Sequence, residues 1–455
     1  MQKMEGELPM LKKILVANRG EIALRVVRAC REMGVASVAV YSDADKEALH
    51  VRLADESVHI GPALSRKSYL NIEAVVAAAQ ESGADAVHPG YGFLSENPDF
   101  AQACEENGLI FIGPKAASIA LAGNKSAAQE HFKKLGIPII PGSDGVVGSA
   151  DEATVIAESI GYPVIIKASG GGGGRGMRIA LDAIQLSEAF ATASGEARAA
   201  FGNPDLYLEK YIEKPRHIEL QIMADTHGNC IHLGERECSI QKRYQKLIEE
   251  APSPFIDADL RAEMGAAAIR VARSLEYTNA GTMEFLVDKD RNYYFMEVNA
   301  RVQVEHPVTE MITGIDIVQE QIRIAAGQPL TIRQEDVNIN GWSIECRINA
   351  ADPDNDFMPS PGVIETLVLP AGPGVRMDTH IHSGYLVPPF YDSLVGKLVV
   401  WAENREAAIR RMDRALAEFE VEGIQVTAPF HRRVMADSDY INGDIDTHFL
   451  ERFDD

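Results

Sequence analysis

The sequence predicts a chain that is α/β at its start and α+β further on, and three observations carry that reading. The N-terminal part alternates short apolar runs with stretches of helical periodicity, which is the pattern of a parallel sheet flanked by helices. Five consecutive glycines, 170–174, lie between two strand-like segments. Residues 296–307 alternate polar and apolar side chains with period two, and from Trp342 onward strand patterns mix with one amphipathic helix.

Taken in order, residues 13–17 are a short apolar strand, 21–33 carry apolar residues at helical spacing, and 37–41 are again strand-like. Residues 71–82 are predicted helical, with strands at 84–88 and at 109–112 before Gly113-Pro114. A dinucleotide-binding unit would place G-x-G-x-x-G after its first strand. The turn here is Asn18-Arg19-Gly20-Glu21, so the fold element lacks its usual cofactor signature.

A second unit is expected to begin near Asn124-Lys125. Residues 162–169 form a strand containing Lys167, and 175–179 form another. A P-loop would open a helix and end in G-K-[ST], and a glycine linker would join domains rather than close a hairpin. Glycines in a hairpin can lay backbone N–H groups over phosphates and move as a lid. Residues 235–246, from Glu235-Arg236-Glu237 to Lys246, are a dense charge run that reads by itself as a solvated face. Cys230, His232 and Cys238 lack the C-x-x-C spacing of a metal site, and His380 with His382 lacks a third ligand. Five scattered cysteines do not suggest a disulfide framework.

In an extended strand, successive side chains point to opposite faces. Along residues 296–307 this puts Glu297, Asn299, Arg301, Gln303 and Glu305 on one face and Val298, Ala300, Val302 and Val304 on the other. Carboxylate and amide oxygens suit Mg2+, which shares hard oxygen ligands with phosphates, and a guanidinium suits an anionic oxygen group. The alternative, a solvated edge strand, would carry Lys and Thr, and neither occurs between 297 and 305. Glu284 lies on a short strand upstream, at 282–286.

The bulk numbers set limits. The 455 residues suggest roughly three domains. A net charge of −23 argues against a nucleic-acid partner, since phosphate backbones need clustered Lys and Arg. The N-terminus lacks the apolar core of a signal peptide and no run of ~18 apolar residues occurs, so a cytoplasmic protein outside the membrane is expected.

Together these pieces resemble biotin carboxylase, the ATP-grasp component of biotin-dependent carboxylases. The motifs that carry the likeness are Ala17-Asn18-Arg19-Gly20-Glu21-Ile22-Ala23, His88-Pro89-Gly90-Tyr91-Gly92-Phe93-Leu94-Ser95-Glu96-Asn97, and Lys167-Ala168-Ser169 with its glycines. They continue with residues 297–307, Glu345-Cys346-Arg347-Ile348-Asn349-Ala350 and Tyr391-Asp392-Ser393. The resemblance implies a Rossmann-like domain at 11–123, an ATP-grasp domain at 124–330 with a flap subdomain at about 140–212, and a mixed C-terminal domain at 341–449. It implies that ATP phosphorylates bicarbonate to carboxyphosphate, whose CO2 is captured by N1′ of biotin on a carrier protein.

By the same resemblance Glu284 and Glu297 hold Mg2+ or Mn2+, with Asn299 adding a ligand. Lys125, Lys167, Gly172, Gly173, Gly174, Glu209, Lys210, Tyr211, Ile212, His217 and Tyr244 face ATP. Lys246, Arg301, Gln303, the Val304 backbone and Glu305 surround bicarbonate, with Glu305 as base. Arg347, Tyr91 and Asp392 face biotin. Two departures stand out: the family often has His at Tyr244 and Asp at Asn124. The resemblance also implies carrier and carboxyltransferase partners and a homodimer. A free-standing subunit is expected, because neither a Met-Lys-Met biotinylation site nor a carboxyltransferase domain occurs in the sequence. The final acceptor, whether acetyl-CoA, propionyl-CoA or pyruvate, is not encoded in these motifs.

Overall fold

Ile14, Leu15 and Val16 are all fully buried in the strand Lys13–Val16. A strand covered on both faces needs no polar alternation, which is the mark of a parallel sheet between helices. In the computed structural model, which describes residues 11–168, 177–201 and 205–453, that strand is the centre of five. The order across the sheet is Glu56–Gly61, Ala36–Ser42, Lys13–Val16, Ala86–His88 and Ile110–Phe111, all parallel. Helices Gly20–Glu32 and Ile72–Ser82 match the predicted periodicity, and Asn71 caps the latter by accepting from the Ala74 N–H. The strand Glu56–Gly61 escaped prediction because it is a half-solvated edge with little apolar signal. Helices Pro98–Glu106 and Ala116–Gly123 escaped it as well.

The chain reverses its winding between Lys13–Val16 and Ala86–His88, so a crevice opens at the C-terminal ends of these strands. Asn18 and Gly90 meet there. Asn18 Nδ2 donates to the carbonyls of Pro89 at 2.7 Å and Tyr91 at 2.8 Å. A Cβ on Gly90, whose φ is +62°, would sit 2.9 Å from that same amide nitrogen, so only glycine fits.

The larger sheet has eight antiparallel strands: Tyr293–Asn299, Asn279–Val287, Arg216–Ala224, Cys230–Lys242, Gln245–Ala251, Trp342–Asn349, Leu394–Ala402 and Val375–Thr379. Gln245–Ala251 pairs with Trp342–Asn349 through Ile248 opposite Cys346 and Glu249 opposite Glu345. One sheet therefore runs from the middle of the chain into its last quarter.

Two sequence readings change here. The polar alternation of 296–305 is strand only as far as Asn299, on the sheet edge. Beyond it the Ala300 N–H goes to Glu96 Oε1 at 3.0 Å instead of to a ladder partner, and Pro307 sits in the first turn of helix His306–Thr313. The charge run of 235–246 is no solvated face over most of its length. Glu235, Arg236 and Glu237 are at most 1% exposed, because Cys230–Lys242 is an interior strand of the sheet. Their charges are matched from neighbouring elements, Glu237 by Arg216 at 3.1 Å and Glu235 by Arg261.

A separate three-stranded sheet, Met177–Ala180, Val164–Ala168 and Leu206–Lys210, carries helices Ala150–Ile160 and Ala183–Phe201 on an apolar core. Lys167 pairs with Met177 across antiparallel strands, as the predicted hairpin requires. The glycines themselves, including Gly172, Gly173 and Gly174, lie outside the described residues. No helix among the described residues is long and apolar enough to cross a membrane.

Candidate active site

Three neighbouring strands of the large sheet put their acids in one row. On Arg216–Ala224, His217, Glu219 and Gln221 share a face by period two. Register then sets Glu219 opposite Glu284, and Glu284 opposite Glu297. Like charges directly opposite one another destabilise a sheet unless a cation lies among them. Nitrogen and oxygen atoms of His217, Glu219 and Glu284 lie within 4.8 Å of one another, a donor set that fits a divalent ion. His217 Nε2 is 2.8 Å from Glu284 Oε2. Asn299 Nδ2 and Gln303 Nε2 donate to Glu284 Oε1 at 2.8 and 2.7 Å, while Asn299 Oδ1 accepts from Arg301 at 2.9 Å. Burial would raise the Glu284 carboxyl, but Lys246 and His217 overcome it and hold it well below the usual range.

Lys246 is the cation at the centre. Its Nζ lies 2.6 Å from Glu219, 3.1 Å from Glu284 and 2.6 Å from Glu305. Burial opposes the ammonium, yet these three carboxylates raise its pKa well above the lysine range. Arg347 takes the other oxygen of Glu305 at 2.9 Å and holds Glu249 at 2.6 Å. Lys246 and Glu249 reach the same side despite their odd spacing because register shifts at Leu247, where a bulge adds one residue. Buried Glu305 is thus fixed on both oxygens, and Lys246, Arg347 and Arg236 outweigh its desolvation to keep it ionised. Beneath it, fully buried Arg236 binds Glu219, Gln221, Thr282, Gln303 and Thr309.

A cavity of ≈ 1980 Å³ runs from this cluster to the crevice of the parallel sheet. Lys167, Glu209, Lys210, Tyr211, Ile212, His217, Tyr244, Lys246, Glu284, Glu297, Asn299, Arg301, Gln303, Val304, Glu305, Arg347, Tyr91 and Asp392 all line it. Lys167 is ion-paired with Glu209. The Lys210 ammonium is turned onto backbone, donating to the carbonyls of Gly161 at 3.0 Å and Tyr162 at 2.7 Å. Tyr244 is 65% exposed and follows Arg243 in the two-residue turn before Gln245–Ala251, both with positive φ. That is the geometry of a tight hairpin turn normally given to Asn-Gly, held here by two large side chains. Arg301 is paired with Glu96 at 2.8 Å, which ties the turn after the edge strand to the N-terminal part. Asp392 accepts from the Leu394 N–H at 2.9 Å, and the Tyr91 hydroxyl donates to Glu21. Lys125 opens helix Lys125–Lys134, and its side chain lies outside the described residues.

Several residues were missed by sequence reasoning. Glu219 had a legible signal, the alternation His217-Ile218-Glu219-Leu220-Gln221 ahead of the charge run. Arg236 was visible but read as solvated. Glu249 has no local mark, and Glu345, though part of a quoted motif, was given no role; the two face each other only through strand pairing of distant segments. Burial pushes Glu249 up to about 7 against the pull of Arg347, and Glu345 well above the carboxylate range against the pull of Lys397. The Cys238 sulfur lies within 4.8 Å of carboxylate oxygens of Glu219 and Glu305, and its thiol is raised by burial.

Family models match nearly the whole chain. The biotin carboxylase N-terminal domain matches residues 10–119, the ATP-binding domain of carbamoyl-phosphate synthase L chain 124–333, and the biotin carboxylase C-terminal domain 345–452. The chain is 53% identical to biotin carboxylase 1 of Bacillus subtilis over 446 residues, 98% of this chain and 99% of that relative. It is 55% identical to the biotin carboxylase of a Nostoc species over 439 residues, 96% of this chain and 98% of that relative. Among solved structures, the biotin carboxylase domain dimer of Hydrogenobacter thermophilus 2-oxoglutarate carboxylase, in complex with MgADP, ADP and bicarbonate, superposes with a TM-score of 0.90. It shares 50% identity, and the match covers 98% of each chain. The biotin carboxylase–β,γ-ATP complex from Campylobacter jejuni gives a TM-score of 0.91 at 50% identity, covering 97% of this chain and 99% of that one. With this coverage and the arrangement of its acids and cations, the chain belongs to the biotin carboxylase family.

Proposed function

We propose that the protein carboxylates N1′ of biotin on a carrier protein, consuming ATP and bicarbonate through carboxyphosphate and releasing ADP and phosphate. The observation that carries this is Glu305, a buried carboxylate held on one oxygen by Lys246 and on the other by Arg347. Such a pair of cations can accept an anion between them, with Glu305 alongside as a base. In this reading bicarbonate enters among Lys246, Arg301, Gln303 and the Val304 backbone, and its oxygens compete for the donors that now hold Glu305 ionised. Loss of those bonds raises the carboxylate's basicity as the substrate arrives, which a carboxylate otherwise lacks at neutral pH. The deprotonated bicarbonate oxygen takes the γ-phosphoryl group, and ADP leaves.

Glu284 and Glu297 would hold Mg2+ or Mn2+, with Asn299 beside them, and the bound ion would supply charge neutralisation for the phosphates. Lys125, Lys167, the glycines, residues Glu209 to Ile212, His217 and Tyr244 would hold the nucleotide. Carboxyphosphate breaks down to CO2 and phosphate; phosphate takes the N1′ proton, and N1′ attacks CO2. Arg347 would stabilise the enolate character of the ureido oxygen as that proton leaves, with Tyr91 and Asp392 lining the biotin subsite. The division at 11–123, 124–330 and 341–449 fits this arrangement, as do carrier and carboxyltransferase partners and a homodimer in the cytoplasm. Steady-state ATP cleavage tests the proposal. Turnover should require bicarbonate and rise with free biotin, and turnover indifferent to both would refute it.

A further inference from the structure

Lys397 lies in the strand Leu394–Ala402, opposite Arg347, and is fully buried. The other side chains of this strand are apolar, so the strand pattern alone would put an apolar residue at 397. The ammonium instead has three donors to place. It donates to the Val304 carbonyl at 2.9 Å and lies 3.2 Å from Glu21 Oε2. Asp378 is farther off at 3.9 Å and is already held by both arms of Arg376, at 2.9 and 2.7 Å.

The two nearer ties lead to different places. Glu21 is in the first turn of Gly20–Glu32 and its other oxygen accepts from the Tyr91 hydroxyl. Val304 sits in the turn between the edge strand and helix His306–Thr313, directly before Glu305. That turn has no ladder to fix it. Its backbone is held by side chains, with Glu96 on the Ala300 N–H, His306 on the Gln303 carbonyl at 2.7 Å and Lys397 on the Val304 carbonyl.

We infer that Lys397 is a positioning residue whose one ammonium ties Tyr91 to the turn carrying Val304 and Glu305, so that the biotin and bicarbonate subsites are aligned together. This rests on the proposed function, in which Tyr91 faces biotin and Val304 faces bicarbonate. Lys397 itself touches neither substrate.

The test compares K397M with Y91F and wild type, using free biotin, bicarbonate and MgADP as probes. In K397M the KM for bicarbonate and the KM for biotin should both rise by about tenfold or more, the scale of a misplaced substrate group. In Y91F only the biotin KM should rise. The Kd for MgADP, measured by calorimetry, should stay within about twofold in both variants, a change of under about 0.5 kcal/mol. If K397M is insoluble, the double variant E21Q/K397M removes both buried charges at once and leaves neither unpaired; the same double rise is then expected of it. An unmoved bicarbonate KM, or a loss confined to kcat or to MgADP affinity, makes Lys397 a structural group and overturns the inference. A wild type without bicarbonate-dependent, biotin-stimulated turnover overturns the functional reading as well, so the two failures are distinct.

Discussion

At the scale of single residues, Glu305 and Arg347 are the sharpest points of the site. Glu305→Gln keeps the shape and loses the base, so bicarbonate-dependent ATP cleavage should collapse while MgADP still binds; near-normal turnover would exclude the base role. Arg347 reaches both Glu305 and Glu249, so Arg347→Gln should affect both half-reactions. Carboxybiotin formation should fall by about 10²–10³, the usual cost of one lost charge-stabilising donor. ATP cleavage without biotin should fall less, through a loosened Glu305. Equal losses in the two assays would remove the biotin assignment. Much of this site was legible, because Glu297, Asn299, Arg301, Gln303 and Glu305 lie close in sequence and differ in kind from the apolar residues between them. Glu219 and Arg236 were in plain view but needed burial to give them meaning. A charge inside a sheet and a charge on its surface look alike in a sequence.

At the scale of elements, the pairing of Gln245–Ala251 with Trp342–Asn349 places Glu249 opposite Glu345. No local pattern could announce it, since the partners are nearly a hundred residues apart. Burial pushes the Glu249 carboxyl up to about 7 in the folded protein, from an ordinary value of 4.5. A raised acid binds more protons when folded, so its contribution to stability is fully present below about pH 4.5 and is lost as pH rises through about 7. Glu249→Gln cannot titrate. Unfolding free energy measured from pH 4.5 to 7.5 should therefore decline less steeply in the variant, the two slopes differing by up to about 3 kcal/mol across the window. Parallel curves would mean that Glu249 is ionised throughout. On another element, the edge strand Tyr293–Asn299, the sequence pattern overshoots the backbone. Period two persists past Asn299 in the residues but not in the backbone, because Glu96 takes the hydrogen bond that a ladder would need.

At the scale of the whole molecule, three family matches follow one another along the chain, and one sheet crosses from the second into the third. A fragment ending at residue 333 would leave the strand Gln245–Ala251 as a bare edge, with unpaired N–H and C=O groups and the apolar Ile248 beside it. That fragment should aggregate on expression, while the intact chain unfolds in one transition; a monomeric fragment that binds MgADP would show the sheet to be separable. The motifs gave the order of the parts, whereas their joining rests on register between distant strands, which composition does not encode. The five free cysteines extend this point. Cys30 lies in a helix of the parallel-sheet layer, Cys104 in another, Cys230 and Cys238 on one strand of the large sheet, and Cys346 on its C-terminal extension. Burial raises the Cys30 and Cys104 thiols to about 12, the half-buried Cys230 to about 11, and Cys238 and Cys346 well above the ordinary thiol value, so none presents a reactive thiolate while the fold is closed. Alkylation followed by peptide mass mapping thus becomes a clock for the order in which layers open: simultaneous labelling of Cys238 and Cys346 would record the sheet parting as one body.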